Sequence, residues 1–137
     1  MDAAIEQPTV ARLITAENRE VPVSATLRYR AHDPLAVFVD FPAEAALDGE
    51  AVTWTFARSL LDQGLRAPAG HGDVRIWPYG GTRTVLEFHS PHGLALLQFQ
   101  AAALRRFLQH SYQTVPAGQE DVGAVVERGL SALFDEV

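Results

Sequence analysis

The five histidines could supply metal or proton-transfer chemistry, because imidazole is both a metal ligand and a general base. His89 and His92 lie three residues apart, a spacing that binds a metal only on a helical face or on a preformed loop with further ligands. His71 precedes Asp73, which could orient its ring, but Ser59 lacks the flanking glycines of a nucleophile elbow. We therefore expect no catalytic site, no metal site and no cofactor.

A segment predicted as a strand, residues 73–79, carries residues suited to binding a macromolecule. Strand alternation places Val74 and Ile76 on one face. The opposite face then carries an arginine and two aromatic side chains, Arg75, Trp77 and Tyr79. This composition is typical of protein-interface hot spots and also of platforms that bind single-stranded nucleic acid. A third interpretation, in which both faces are covered and Trp77 belongs to the core, stays open at this point.

The overall composition excludes several reaction classes and favours a protein partner. The chain has 137 residues, no cysteine and no lysine, so thiol nucleophiles, disulfides and lysine Schiff bases are impossible. The net charge of -6 opposes binding to nucleic acid. Residues 63–117 are the exception, with five arginines against two acidic residues, whereas residues 118–137 carry five acidic residues and one arginine.

The elements that would position these residues are mostly short strands. Branched and alternating apolar residues, separated by Pro, Gly, Asp and Ser turns, predict seven extended segments. These are 10–15, 21–30, 35–41, 51–57, 73–79, 83–90 and 94–99. Gly80-Gly81 predicts a hairpin between the fifth and sixth segments, so we expect an antiparallel meander in the middle of the chain.

Helical spacing occurs at three places. Residues 58–65 predict a short helix that ends at a left-handed Gly64. Residues 100–112 predict an amphipathic helix, and a further helix is expected from Glu120 onward. The apolar face of the amphipathic helix carries Ala101, Leu104, Phe107, Leu108 and Ser111, and the polar face carries Arg105, Arg106 and Gln109. Strands followed by helices, without crossover helices, indicate a single α+β domain over residues 1–137.

Seven segments in order resemble the SsgA-like proteins of spore-forming actinobacteria, over about residue 8 to the C-terminus. The segments are Leu27-Arg28-Tyr29, Asp33-Pro34-Leu35-Ala36-Val37, Trp54-Thr55-Phe56-Ala57-Arg58, Gly64-Leu65, Gly70-His71-Gly72-Asp73-Val74-Arg75-Ile76-Trp77-Pro78, Ser90-Pro91-His92-Gly93 and Val115-Pro116-Ala117-Gly118. The resemblance implies a Whirly-like fold, with two packed antiparallel β-sheets followed by a C-terminal helix-loop-helix, assembled as a homotrimer.

The resemblance also implies a function in cell division without enzymatic activity. Members of the family mark sporulation septum sites, bind the tubulin-like protein FtsZ, promote its polymerisation and act with an SsgA-type paralogue. We accordingly expect a cytoplasmic protein at the division septum, with no membrane insertion and no small-molecule substrate. The expected partner contacts are Arg75, Trp77, Tyr79, Arg105 and Arg106. The alternative is a single-stranded nucleic-acid-binding domain that uses the sheet face, although the acidic net charge opposes binding to nucleic acid.

Overall fold

The computed structural model describes residues 3–43, 50–91 and 93–120. Three sequence-based expectations lie outside these ranges: the helix predicted after Glu120, the position of His92, and the turn expected at residues 48–49. The seven predicted strands and the first two predicted helices lie within the described ranges.

Seven strands and two helices make up the described part of the chain. The strands are β1 (Ala4–Ile14), β2 (Glu20–Arg30), β3 (Ala36–Phe41), β4 (Val52–Ala57), β5 (Val74–Tyr79), β6 (Arg83–Ser90) and β7 (Gly93–Gln100). The helices are α1 (Arg58–Arg66), between β4 and β5, and α2 (Ala101–Thr114), after β7. The predicted meander of β5, β6 and β7 is confirmed, with directly opposed residues along both pairs. The first strand is longer than predicted.

The strands form one sheet in place of the two that the resemblance implies. Its order is β4-β3-β2-β1-β7-β6-β5, and all neighbours are antiparallel. The length of β1 explains the difference, because this strand pairs with β2 over its full length and with β7 only over residues 12–14. One continuous strand therefore joins the two halves of the sheet.

The sheet curves into a half-barrel whose concave side holds the core. Trp54 of β4 stacks on Phe88 of β6, with ring centroids 4.7 Å apart. In the sheet order four strands, β3, β2, β1 and β7, lie between β4 and β6, so the sheet must curve to bring the two rings together. Alternation along each strand supplies the other inward side chains, among them Leu27, Val39 and Leu86, which are fully buried. The two halves therefore share one hydrophobic core.

Both helices cover this core. The predicted apolar face of α2 is confirmed, since all five of its residues are buried. Helix α1 follows edge strand β4 directly and packs against the other edge strand, β5. Neither helix in the described ranges is long and apolar enough to span a membrane. The helix α1 therefore connects the two open edges of the half-barrel.

The prediction that Gly64 ends α1 in a left-handed conformation is wrong. The helix continues to Arg66, and Gly64 is not among the glycines with positive φ. A Cβ atom at this position would lie 2.3 Å from Cβ of Ile76. Glycine is required here because the backbone of α1 lies directly against the side chain of Ile76, and any larger residue at position 64 would overlap that side chain.

Candidate functional site

Strand β5 has the two faces that its alternation predicts. Val74 and Ile76 are buried, and Arg75 and Tyr79 are exposed on the opposite side. Trp77 lies on that side too and is half-buried. Its side chain is partly covered, but it is not fully buried as a core residue would be. The accessible part, together with Arg75 and Tyr79, is the surface that the two macromolecule-binding interpretations use.

An open groove of about 970 Å³ lies beside β5 and contains part of this face. Its walls are α1 and the loop of residues 67–71 on one side, and β5 with β6 on the other. The side chains that give it its chemical character are Leu60, Arg66, His71, Arg75, Trp77 and Glu87. The expected contacts Arg75 and Trp77 thus share one concave surface.

The loop wall of the groove is held against β5 by its backbone. Ala69 and Ile76 exchange two backbone hydrogen bonds, with N···O distances of 2.8 and 3.0 Å. Gly70 has φ +106°, and a Cβ atom there would lie 2.4 Å from the carbonyl oxygen of Val74. Only glycine combines this conformation with so close an approach. Two of the glycines in the resemblance, Gly64 and Gly70, therefore build the groove.

The charges at the groove are unevenly paired. Arg66 forms an exposed ion pair with Asp62 at 3.2 Å. Arg75 lies opposite Glu87 in the β5–β6 register, but the Glu87 carboxylate contacts the imidazole of His89. Within the described ranges, Arg75 has no side-chain hydrogen bond or ion pair. Its guanidinium is therefore available to a partner.

The histidines and serine tested for chemistry do not form a reaction centre in the described residues. His71 is exposed in the groove, whereas Ser59 lines a separate cavity of about 460 Å³ on the other side of α1. His89 is bound to Glu87 rather than directed at a shared ligand position. No cluster of three metal-ligating side chains occurs among the residues described. The arrangement offers binding contacts.

The remaining expected contacts lie elsewhere. Arg105 and Arg106 are exposed on α2, opposite its buried face, and they do not line the groove. Tyr79 is 53% exposed at the end of β5 and is also outside the groove lining. The groove therefore brings together two of the five expected contact residues, and adds Arg66, which the sequence did not single out.

Sequence analysis missed a buried arginine at the start of α1. Arg58 is 1% exposed, and its Nη1 donates to the carbonyl oxygens of Ser111 at 3.1 Å and Val115 at 2.7 Å. Its Nη2 donates to the carboxylate of Glu120. Arg58 thereby satisfies the carbonyl groups that end α2 and binds the segment that follows it.

Two tyrosine rings enclose the same guanidinium. The Arg58 Cζ atom lies 4.9 Å from the ring centroid of Tyr29 and 4.6 Å from that of Tyr112, within the range of cation–π attraction. Burial, together with a hydrogen bond to Asp62, raises the pKa of Tyr112 to about 12. The hydrogen bond from Arg58 lowers the pKa of Glu120. We call Arg58, Tyr29, Tyr112 and Glu120 the arginine cluster.

One signal in the sequence pointed to this cluster. Arg58 ends one segment of the family resemblance, and Val115 begins another. Their separation of 57 positions gave no reason to join the two.

The matches with known proteins cover both the groove and the arginine cluster. Residues 23–120 match the family described as the Streptomyces sporulation and cell division protein SsgA. The chain belongs to the SsgA-like family. It is 45% identical to the sporulation-specific cell division protein SsgB of Salinispora tropica over 134 residues, which is 93% of each chain. It is 40% identical to SsgB of Streptomyces coelicolor, over 91% of each chain. Within the family the chain is thus SsgB-like.

Two solved structures share the fold. One comes from work on mutations in SsgB that correlate to longitudinal cell division during sporulation of Streptomyces coelicolor. It aligns with a TM-score of 0.78 at 38% identity, over 88% of this chain and 94% of the other. The other is an SsgA-like sporulation-specific cell division protein from Thermobifida fusca, with a TM-score of 0.80 at 35% identity over 95% of each chain. The curved sheet with its helices is therefore the fold of the family.

Proposed function

We propose that this SsgB-like protein marks sporulation septum sites, recruits FtsZ and promotes its polymerisation, without chemistry of its own. The observation that carries the proposal is the similarity to sporulation-specific cell division proteins over nearly the whole chain, 93% in the case of the Salinispora tropica relative. The groove adds a physical basis, because it presents Arg75, which has no polar partner among the described residues, together with a partly exposed tryptophan. These residue types contribute most of the binding energy at protein interfaces.

The proposed contact surface consists of exposed arginines and aromatic residues on two elements. Strand β5 contributes Arg75, Trp77 and Tyr79, and α2 contributes Arg105 and Arg106. Because these arginines are solvated, each alone contributes little, and a stable contact needs several of them together. The protein would act in the cytoplasm, at the division septum.

Assembly would strengthen these weak contacts. We include in the proposal a Whirly-like homotrimer that acts with an SsgA-type paralogue. Several copies of one site on a closed ring raise the effective concentration of the partner, so a modest affinity per site is sufficient to organise a filament. Light scattering of the full chain measures the mass, and a monomeric mass at working concentration would contradict this part.

Co-sedimentation with FtsZ polymers tests the contact residues. The variant R75Q/R105Q should sediment less with the polymers, while its melting temperature stays close to that of the wild type. The matched control is R19Q/R30Q, which makes the same charge change at two exposed arginines outside the proposed surface. Equal co-sedimentation of both variants and the wild type would refute the contact assignment. Failure of the wild type itself to sediment with FtsZ would refute the function.

The accessible side of β5 also supports a second candidate, a single-stranded nucleic-acid-binding domain. Trp77 and Tyr79 could stack on bases while Arg75 contacts a phosphate. The net charge of -6 and the carboxylate of Glu87 in the groove oppose it. Titration with a labelled oligonucleotide at two salt concentrations decides the question, because true binding weakens steeply as salt is raised.

A further inference from the structure

We propose that the groove beside β5 binds an extended acidic peptide segment that inserts a bulky apolar side chain next to Trp77. The identity of the protein that supplies the segment rests on the proposed function. The chemistry of the segment follows from the groove alone, from its charge, its apolar lining and the way its walls are held in place.

The charge of the groove complements an acidic ligand. Arg66 and Arg75 both line it and carry exposed guanidinium groups, although Arg66 also pairs with Asp62, and His71 adds an imidazole that can hydrogen-bond a ligand. Among the described residues, the carboxylate that lines the groove is that of Glu87, which is already in contact with His89. A cationic groove on a chain with a net charge of -6 is a local exception that would attract an acidic segment and orient it.

The apolar part of the lining selects for a large hydrophobic side chain. Leu60, Ala67, Pro68 and Ala69 line the groove together with Trp77. Trp77 is only half-buried, so part of its ring still has apolar surface that a ligand can cover. Burial of that surface would stabilise the complex through the hydrophobic effect.

The walls of the groove are formed before a ligand arrives. Gly64 allows α1 to lie against Ile76, and Gly70 with the two Ala69–Ile76 hydrogen bonds holds the loop against β5. A preformed site loses little conformational entropy on binding, so even a short segment can bind measurably. The groove has the volume of a small-molecule pocket, about 970 Å³, but it is open to solvent. An open shape suits a chain segment.

An acidic peptide fits the groove better than a single-stranded nucleic acid. A nucleic acid places a charge on every nucleotide, and some of these phosphates would lie near the Glu87 carboxylate. A peptide can place its acidic side chains against Arg66 and Arg75 and leave an uncharged residue opposite Glu87. Nucleic-acid binding is therefore the competing outcome of the test.

A peptide-binding measurement on the full chain tests the proposal. The probe is a short fluorescein-labelled peptide in which Glu and Leu alternate, and the comparison peptides carry Gln or Lys in place of Glu. Fluorescence anisotropy should show binding of the Glu peptide only, and added salt should weaken it. The variant R66Q/R75Q should bind about tenfold more weakly, as expected for the loss of interface arginines. The variant R105Q/R106Q, with the same charge change outside the groove, should bind like the wild type.

Each result either supports or overturns the groove assignment. No binding of the Glu peptide, equal binding of the Gln peptide, or equal loss in both double variants would overturn it. Tighter binding of labelled oligo(dT) than of the Glu peptide would also overturn it, in favour of nucleic acid.

The same two variants in FtsZ co-sedimentation separate this proposal from the proposed function. Loss of peptide binding by R66Q/R75Q with unchanged FtsZ co-sedimentation would keep the groove and assign it to another partner. Failure of the wild-type protein to sediment with FtsZ would refute the function and leave the peptide result to stand on its own.

Discussion

Two arginines near aromatic rings, Arg58 and Arg75, show how differently one residue type is used in this fold. Arg58 is 1% exposed, donates to two carbonyl groups and a carboxylate, and lies against two tyrosine rings. Arg75 is exposed in the groove, has no polar partner in the described ranges, and shares the lining with Trp77. Burial separates the two roles. Arg58 connects α1 to α2 and to residues 115–120, and Arg75 is accessible to a partner.

The comparison also indicates where stability is vulnerable. A buried charge that loses its partners is costly, because the groups left behind cannot all reach water. A solvated charge that is removed costs little, because water replaces what it contacted. The following predictions apply this difference to the two regions, from the largest expected effect to the smallest.

The substitution R58M should have the largest effect. It removes the Arg58 donor from the Val115 carbonyl and the partner of the Glu120 carboxylate, and it leaves the Ser111 carbonyl with the Val115 N–H alone, so we expect a loss of about 3 kcal/mol in the free energy of unfolding, the lower end for breaking a buried ion pair. The lower end applies because the side chain of Glu120 is 18% exposed and can be partly hydrated. Urea unfolding monitored by circular dichroism measures the change. The control R66Q, on the same helix, should change stability by less than about 0.5 kcal/mol.

The substitution G64A should be the next most damaging. An added Cβ would lie 2.3 Å from the Ile76 side chain. Such overpacking lowers the free energy of unfolding by about 1–3 kcal/mol, whereas the higher helix propensity of alanine raises it by roughly 1 kcal/mol, so we expect a net loss. The control is G72A, because a Cβ atom at Gly72 meets nothing within 4 Å. G64A should lower the thermal midpoint and also weaken peptide binding at the groove. A G64A protein as stable as G72A would contradict the close α1–β5 contact.

Acid should weaken the protein through two carboxyl groups whose pKa values are lowered. The hydrogen bond from Arg28 lowers the pKa of Asp40, and that from Arg58 lowers the pKa of Glu120. The unfolded chain titrates near the ordinary values of about 3.9 and 4.3, so it binds more protons than the folded state in acid. The stability these groups contribute is present above about pH 4 and is lost as the pH falls through their folded pKa values. The urea midpoint of D40N/E120Q should therefore fall less between neutral pH and acid than that of the wild type.

The substitution R75Q should have the smallest effect on stability. Because Arg75 is exposed and has no polar partner among the described residues, we expect the free energy of unfolding to stay within about 0.5 kcal/mol of the wild type. Thermal unfolding by circular dichroism provides the measurement. A loss as large as that of R58M would show that Arg75 also holds the fold together, and would end the contrast between the two arginines.

Local periodicity predicted the elements and several of their faces. Alternation in β5 placed Arg75 and Trp77 on one side, and helical spacing in α2 identified its buried residues. These predictions succeeded because the side chains of one element follow the period of its own backbone. The resemblance to the SsgA-like family was confirmed over residues 23–120.

Contacts between distant segments were not predictable in this way. The groove exists because α1 packs against β5. The sequence predicted that Gly64 ends the helix, because nothing in the sequence shows that the side chain of Ile76 lies against it. The expectation of two sheets failed for a similar reason, because the pairing of β1 with β7 depends on three residue pairs more than 80 positions apart.

The sequence by itself determined the strand and helix pattern, the family, and the set of arginines and aromatic residues available for contact. The tertiary structure decided which arginine is buried and which is free, how one sheet curves around one core, and that Arg66, Arg75 and Trp77 share a groove. The physical reason is that periodicity is set by neighbouring residues, whereas burial and charge pairing depend on segments that come together only when the chain folds.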